Sequence, residues 1–407
     1  MNTGDTAFVL VSAALVMLMT PGLALFYGGM VRAKNVLGTI MQSFILLGLI
    51  SLQWLLWGYS MAFGPDKLGI IGGLEWIGLR GVGMEPHAVY GPTIPHQVFM
   101  IFQCMFAVIT PALITGAFAE RMRFGPFLIF SLLWATFVYN PLVHWIWGNG
   151  GWLARLGALD FAGGVPVHLS SGVAAVSAAI IMGKRRGYGT EDLKPHNLPM
   201  TILGAGLLWF GWFGFNAGSA LSASSLAGSA FVATHIAGTT GALAWIAMEW
   251  KFIGKATTLG AASGAVAGLA TVTPASGFVG PLSAALIGVA AGASCYMGIK
   301  MKNRFGYDDS LDVVGIHGVG GVIGLLAAGL FASKAVNPAG ADGLFFGNAS
   351  QLGIQTIAIL ATILYVFAVS FVLLKIVDKV FGLRVPDHDE VSGLDLTQHD
   401  ETAYTSQ

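Results

Sequence analysis

Two histidines sit in apolar, glycine-rich stretches of this chain: His168 in VPVHLSSGVAAVSAAIIMG and His317 in VVGIHGVGGVIGLLAAGL. An imidazole at bilayer depth is costly to keep, so by default it marks a path for a polar or ionic solute. Two such rings would line that path with hydrogen-bonding nitrogens and no fixed charge. Charged together they would repel each other, so at most one shared or transient proton is expected in the pair. A lone buried histidine is more often a satisfied core residue; it is the occurrence of two in matched settings that points to function.

The elements that would position them are membrane spans. Of 407 residues 55% are hydrophobic and only 10% charged, with a mean hydropathy of +0.74. Water-soluble domains carry roughly 25% charged residues, so lipid is the expected solvent. A formal net charge of zero argues against nucleic acid as a partner. Cys104 and Cys295 each lie in an apolar run and read as buried thiols, not as a disulfide or metal site. No Gly-rich phosphate loop, metal cluster or nucleophile triad is present, so neither an enzyme nor a cofactor is expected.

A window of about 19 residues finds about eleven spans, near 7–30, 36–63, 97–119, 126–147, 165–183, 200–220, 227–250, 258–277, 279–299, 309–332 and 353–376. The expected fold is therefore an all-α, multi-pass membrane protein. The connecting segments orient it: sixteen of the twenty Lys and Arg fall on one side, and only Lys67, Arg80, Arg155 and Lys334 on the other. The positive-inside rule then puts the N-terminus outside and the C-terminus in the cytoplasm, as for a protein of the cytoplasmic membrane. The leader MNTGD has no positive charge, and the first span is read as a retained helix. Segments 64–96 and 148–164 would form the external mouth. Residues 1–376 make one membrane domain and the polar, acidic residues 377–407 a cytoplasmic tail.

The spans carry signs of a duplication. Leu159-Asp160-Phe161-Ala162-Gly163 leads into His168, and Leu311-Asp312-Val313-Val314-Gly315 leads into His317. The first histidine lies in span five and the second in span ten. Repeats of five spans, about 7–183 and 200–332, would be inverted relative to each other and bring both histidines to the midplane, with 353–376 as a final helix. Asp160 is either an ion site or a cap for backbone N–H groups; the cap is favoured, and the repeat extends it to Asp312. Glycines spaced by four, such as Gly260, Gly264 and Gly268, Gly288 with Gly292, and Gly320 with Gly324, permit close helix approach.

The stretches PGLALFYGG, GALDFAGG followed by VPVH, KPHNLP, GWFGFNAGS, GAVAGL with VTPA, and DVVGIHGVGG together resemble the Amt/Mep/Rh ammonium transporters, especially the bacterial AmtB type. The likeness runs from the first span into the tail. It implies eleven helices per protomer and a homotrimer with a separate narrow pore in each protomer for ammonium uptake, methylammonium being a further candidate substrate. Carried over by position, it implies an outer recognition site of Phe106, Trp147 and Ser219 and a gate of Phe106 on Phe215. Below the gate it implies the histidine pair His168 and His317 with Trp212 lining the pore, a narrowing at Phe26 and Val313, and Ser263 near the cytoplasmic exit.

That set makes chemical sense. The faces of Trp147 and Phe106 would compensate a cation leaving water by cation–π attraction of roughly 0.5–2 kcal/mol, and Ser219 offers an acceptor that ammonium can bond and potassium cannot. In a dry constriction, losing a proton is a cheap way through for ammonium and is closed to potassium. The resemblance leaves net ammonia passage and electrogenic transport both open, along with two alternatives: an ammonium sensor of the same fold and an Rh-like bidirectional channel. The tail, with GLRVP, GLD and His399-Asp400-Glu401-Thr402-Ala403-Tyr404, resembles the segment that helps to dock a PII-type, GlnK-like regulatory protein. Asp400 stands where the family often has glycine. His144, His196 and His235 receive no transport role.

Overall fold

The structure, a computed structural model, describes residues 1–404. It is built almost wholly of helices: α1 (Thr3–Met30), α2 (Ala33–Phe63), α3 (His96–Phe118), α4 (Phe124–Leu156), α5 (Gly164–Met182) and α6 (Leu198–Gly218). These are followed by α7 (Ser225–Ile253), α8 (Thr258–Val272), α9 (Pro281–Phe305), α10 (Val314–Phe331) and α11 (Ala349–Phe381). Two short helices, α12 (Asp387–Ser392) and α13 (Leu394–His399), make up the tail. Two small hairpins, β1 (Asp66–Lys67) with β2 (Ile71–Gly72) and β3 (Pro86–His87) with β4 (Gly91–Pro95), lie between α2 and α3.

Ten of the described helices are long and apolar enough to cross a bilayer. Among α1–α11 the exception is α8, where the sequence suggested a span at 258–277: its helix has 15 residues, about 22 Å at 1.5 Å per residue, against a hydrocarbon core of about 30 Å. Past Val272 the chain folds into turns around Pro274, with Ala275 donating to the Val272 carbonyl.

Packing puts the histidine-bearing helices at the centre. The first turns of α5 (Gly164–Leu169) and α10 (Val314–Gly318) are π-helical, and each contains its histidine. Such wide turns cost hydrogen-bond geometry and recur at functional sites. Helices α5 and α10 touch backbone to backbone: a Cβ on Gly172 would stand 2.2 Å from the Gly318 Cα. Helix α1 lies along α6, and α7 packs on α8 and α9, where a Cβ on Gly268 would meet the Ala237 carbonyl at 2.1 Å.

The two ends of the bundle differ. At one end Asn2 N–H donates to the Thr93 carbonyl, and Asp5 takes the Ala223 N–H. At the other, most Lys and Arg gather and the tail is docked: Asp395 accepts from Gly38 N–H at 2.8 Å, Asn35 from Leu394 N–H at 2.8 Å, and Glu390 from Arg186 N–H at 2.6 Å. His196 ties the same end together through the Val31 carbonyl and the Tyr404 hydroxyl, both at 2.8 Å. Asp400 adopts a left-handed conformation (φ 55°) as the cap of α13, a conformation glycine adopts freely and aspartate tolerates better than most residues.

A buried ion network braces that end. Glu120, itself at φ 72° and 2% exposed, receives Arg32 N–H at 2.8 Å, Asn35 Nδ2 at 3.0 Å and Arg185 at 3.2 Å. Arg185 donates to both Asp308 oxygens at 2.9 Å, and Arg121 donates to the Asp308 carbonyl at 2.6 Å. Burial pushes the Glu120 carboxyl up, but the Arg185 and Arg32 charges outweigh it and hold it below the usual carboxylate range. Asp308 is likewise held low against burial by Arg185 and Arg121. A depressed folded-state pKa contributes stability above the unfolded value that is lost as pH falls through the folded one. Thermal stability in detergent should therefore fall as pH drops below about 4. Glu120→Gln should cost about 3 kcal/mol near neutrality and flatten the acid limb.

Candidate functional site

One helix middle, a break in α4 and the ends of three further helices build the site. Phe106 projects from the middle of α3, Trp147 from α4 just before the chain breaks at 148–151, and Phe215 from the last turn of α6. The Phe106 and Phe215 rings are 4.2 Å apart between centroids, and Trp147 stands perpendicular to Phe106 at 6.1 Å. Phe106 and Phe215 are at most 1% exposed, whereas Trp147 is half-buried. Ser219, the residue capping α6, donates its hydroxyl to the Phe215 carbonyl at 2.8 Å. Its proton thus committed, the hydroxyl offers only lone pairs to an incoming donor. The four residues expected at the mouth and gate are therefore together.

Phe215 also lines a narrow cavity, with only about 10 Å³ of room for the centres of water-sized molecules, between α1, α3, α5, α6, α8 and α10. His168 and His317 face each other there: Nδ1 to Nδ1 is 3.2 Å, with the rings within 10° of parallel. A nitrogen-to-nitrogen hydrogen bond needs one donor and one acceptor. In the neutral pair the Nδ1 donor has a bare Nε2, and its partner carries the proton on Nε2. One imidazole can then accept from a solute and the other donate to it. His168 Nε2 is buried without a protein partner, an orphan of the kind that a passing polar molecule can satisfy.

Trp212 stacks on His168 at 5.7 Å, oriented by its own Nε1–H bond to Thr273 Oγ1 at 3.0 Å. Phe26 and Val313 line the cavity. Ser263 does not: it is buried on α8, and Val266, one turn on, is the α8 residue that reaches the lumen. Tyr27, which the sequence reading passed over, lines the wall with its hydroxyl bonded to the Leu113 carbonyl at 3.0 Å. It adjoins Phe26 within LALFYGG, and that adjacency was the available signal. Thr273 was also missed; only its partner, Trp212, stood out.

The acids are capping groups, with one reassignment. Asp160 accepts backbone N–H bonds from Gly163, Gly164 and Val165 at 2.6–2.8 Å, and its own carbonyl takes the Trp147 indole N–H at 2.9 Å. The corresponding cap on α10 is Asp309, not Asp312: Asp309 lies eight residues before His317, as Asp160 does before His168. It takes the Val314 N–H at 2.7 Å, as Asp160 takes Val165. Asp312, at φ 62°, pairs instead with Lys302. The pentamer echo in the sequence had aligned the wrong aspartate. Asp160→Ala should leave three N–H groups unpaired and cost at least about 2 kcal/mol in thermal unfolding. Asp160→Asn, which keeps Oδ1 as an acceptor, should cost less.

Residues 7–404 match the family model described as Ammonium Transporter Family. The chain is 56% identical to an ammonium transporter of Bacillus subtilis over 405 residues, 99% of each. It is 48% identical to ammonium transporter Amt1 of Archaeoglobus fulgidus over 405 residues and the whole of both chains. Among solved structures it resembles Mep2 of Saccharomyces cerevisiae (TM-score 0.90, 37% identity, covering 95% of this chain and 88% of that one). It also resembles a structure titled Sensor Amt Protein (TM-score 0.89, 28% identity, covering 97% and 98%).

Proposed function

This chain belongs to the ammonium transporter family, as a multi-pass protein of the plasma membrane, and from that premise we propose that it takes up ammonium selectively by stripping its proton at the Phe106–Phe215 gate. Trp147, Phe106 and Ser219 recruit the cation at the mouth: the ring faces replace part of its hydration, and Ser219 accepts one of its N–H bonds. Beyond the gate a charged ion would lose its remaining water in a lumen lined almost entirely by carbon, at a cost of several kcal/mol. Ammonia crosses without that cost. The observation that carries this reading is the contact of two phenyl rings closing a cavity whose polar lining is centred on a single imidazole pair. The released proton either returns to the outer water or is carried across separately.

Eleven crossings, with the short α8 completed by the apolar turns that follow it, put the N-terminus outside and the tail in the cytoplasm, in agreement with the docking of the tail at the Lys/Arg-rich end. The matched π-turns and the matched caps Asp160 and Asp309 support two inverted five-helix halves with α11 added. A lateral contact between copies of this chain, such as a homotrimer would provide, is supported by His235, exposed in mid-span on α7 beside Trp209, whose Nε1 is buried without a partner. A mid-span histidine is costly against lipid, and a second copy would cover it. At the cytoplasmic face, the docked tail gives a PII-type regulator an ordered surface to read. Asp400 keeps its backbone in the conformation glycine would supply there.

A sensor of the same fold is the runner-up, and an Rh-like channel is disfavoured by the presence of Trp147 and Ser219 in one mouth. Purified protein in liposomes on a solid-supported membrane, pulsed with ammonium and then with potassium, separates these. A current for ammonium alone marks selective electrogenic transport, and internal alkalinisation without current marks net ammonia passage. Ammonium binding with neither signal marks a sensor. Replacing His168 and His317 together with acidic residues should relax ammonium-over-potassium selectivity by roughly tenfold or more, equivalent to about 1.4 kcal/mol; unchanged selectivity would defeat the deprotonation reading.

A further inference from the structure

The turn of α4 that carries Trp147 is gripped from outside the pore. His144, three residues before Trp147, is fully buried, and both of its ring nitrogens meet oxygens. Nδ1 is 2.9 Å from the Ala62 carbonyl at the end of α2, and Nε2 is 2.9 Å from Asp66 Oδ1 in β1. A carbonyl only accepts, so Nδ1 donates to it. Asp66 Oδ1 also takes the Gly69 N–H at 2.7 Å. Slight burial pushes the Asp66 carboxyl up, but the hydrogen bonds from His144 and Gly69, with the nearby Arg155 charge, hold it below the usual carboxylate range. The carboxylate is an acceptor too, and the His144 ring acts as a double donor.

The surrounding contacts tighten the same joint. Trp145 Nε1 donates to the Ile70 carbonyl at 2.9 Å, and Trp152 N–H donates to the Gly69 carbonyl at 3.0 Å. The break after Trp147 closes over the ring so tightly that a Cβ on Gly148 would stand 2.5 Å from His144 Nδ1. On its far side, Trp147 is tethered through its indole N–H to the Asp160 carbonyl at 2.9 Å. The indole thus stands between two anchors, one on the hairpin side and one on the α5 side.

We propose that His144 and Asp66 are positioning residues for recruitment: their charge-assisted bond fixes the last turn of α4 so that Trp147 stands perpendicular to Phe106, and it sets affinity at the mouth and not the rate of passage. The assignment rests on reading Trp147 as the recruiting group. A clamp that served stability alone would change the amount of folded protein and leave half-saturation unmoved.

Ammonium pulses over a concentration series on the liposome-reconstituted protein decide between the two, with thermal unfolding as the folding control. His144→Ala and Asp66→Ala should each raise the half-saturating ammonium concentration about tenfold while holding maximal current within about twofold. Asp66→Asn, which retains an acceptor for His144 Nε2, should stay within about threefold, and Asp66→Ala added to Trp147→Leu should produce no further rise. Unmoved half-saturation in both alanine variants overturns the assignment, as does a fall in maximal current alone. Full additivity of Asp66→Ala with Trp147→Leu also overturns it. If Trp147→Leu by itself leaves half-saturation unchanged, recruitment at Trp147 is wrong and the positioning role falls with it. A normal Trp147→Leu effect with inert clamp variants removes the clamp alone.

Discussion

The contact between His168 and His317 is the constraint around which the rest of the bundle is arranged. Two imidazoles 3.2 Å apart can share one hydrogen bond, and two like charges at that distance would be prohibitive in a lumen otherwise lined by carbon. Holding the rings there requires their helices to meet backbone to backbone, hence glycine at 172, where a Cβ would stand 2.2 Å from the Gly318 Cα. The rings must also point inward from the first turn of each helix. The π-helical widening of both turns and the carboxylate caps at Asp160 and Asp309 serve that aim.

The gate follows from the same physics. If the lumen is to favour a neutral solute, water and ions must be kept from entering as a continuous column. Phe106 on Phe215 does this with little room to spare at 4.2 Å. An aromatic seal has a second property that an aliphatic one lacks: its ring faces attract the cation that it excludes. On the proposed mechanism, attraction at the mouth and exclusion at the gate come from one residue, Phe106, which touches both Trp147 and Phe215. Selectivity would then reside in the proton: an ion that can shed one passes as a neutral molecule, and potassium has none to lose.

Much of this was legible in the sequence, because hydropathy and an intramembrane histidine are strong signals. The helical membrane architecture and the family followed from composition, windows and long motifs, and Phe106, Trp147, Phe215 and Ser219 do come together. The failures have physical causes. The repeat points to Asp312 because a pentamer echo carries no geometry, whereas the eight-residue offset that Asp309 shares with Asp160 reflects a helix start. The length of α8 was overstated because hydropathy continues through the turn around Pro274. Thr273 and Tyr27 escaped notice because each acts through one hydrogen bond across the bundle, to Trp212 and to Leu113. Sequence periodicity does not encode such pairs.

The placement of charge ties these layers together. The described ion network of Glu120, Arg121, Arg185 and Asp308 lies at the Lys/Arg-rich end, where α1, α3, α5 and the approach to α10 are joined and the tail is docked. The opposite end is held mainly by hairpins, aromatic rings, the buried contact of His144 with Asp66 and the exposed pair Lys67–Glu75. A cation waiting at an aromatic mouth is weakened by competing positive charge and strengthened by ring faces left free. Crowding the cationic braces at the far end leaves this end to Trp147, Phe106 and Ser219. On the proposed reading, the charge division that would orient the chain in the membrane also keeps competing positive charge away from the point of recruitment.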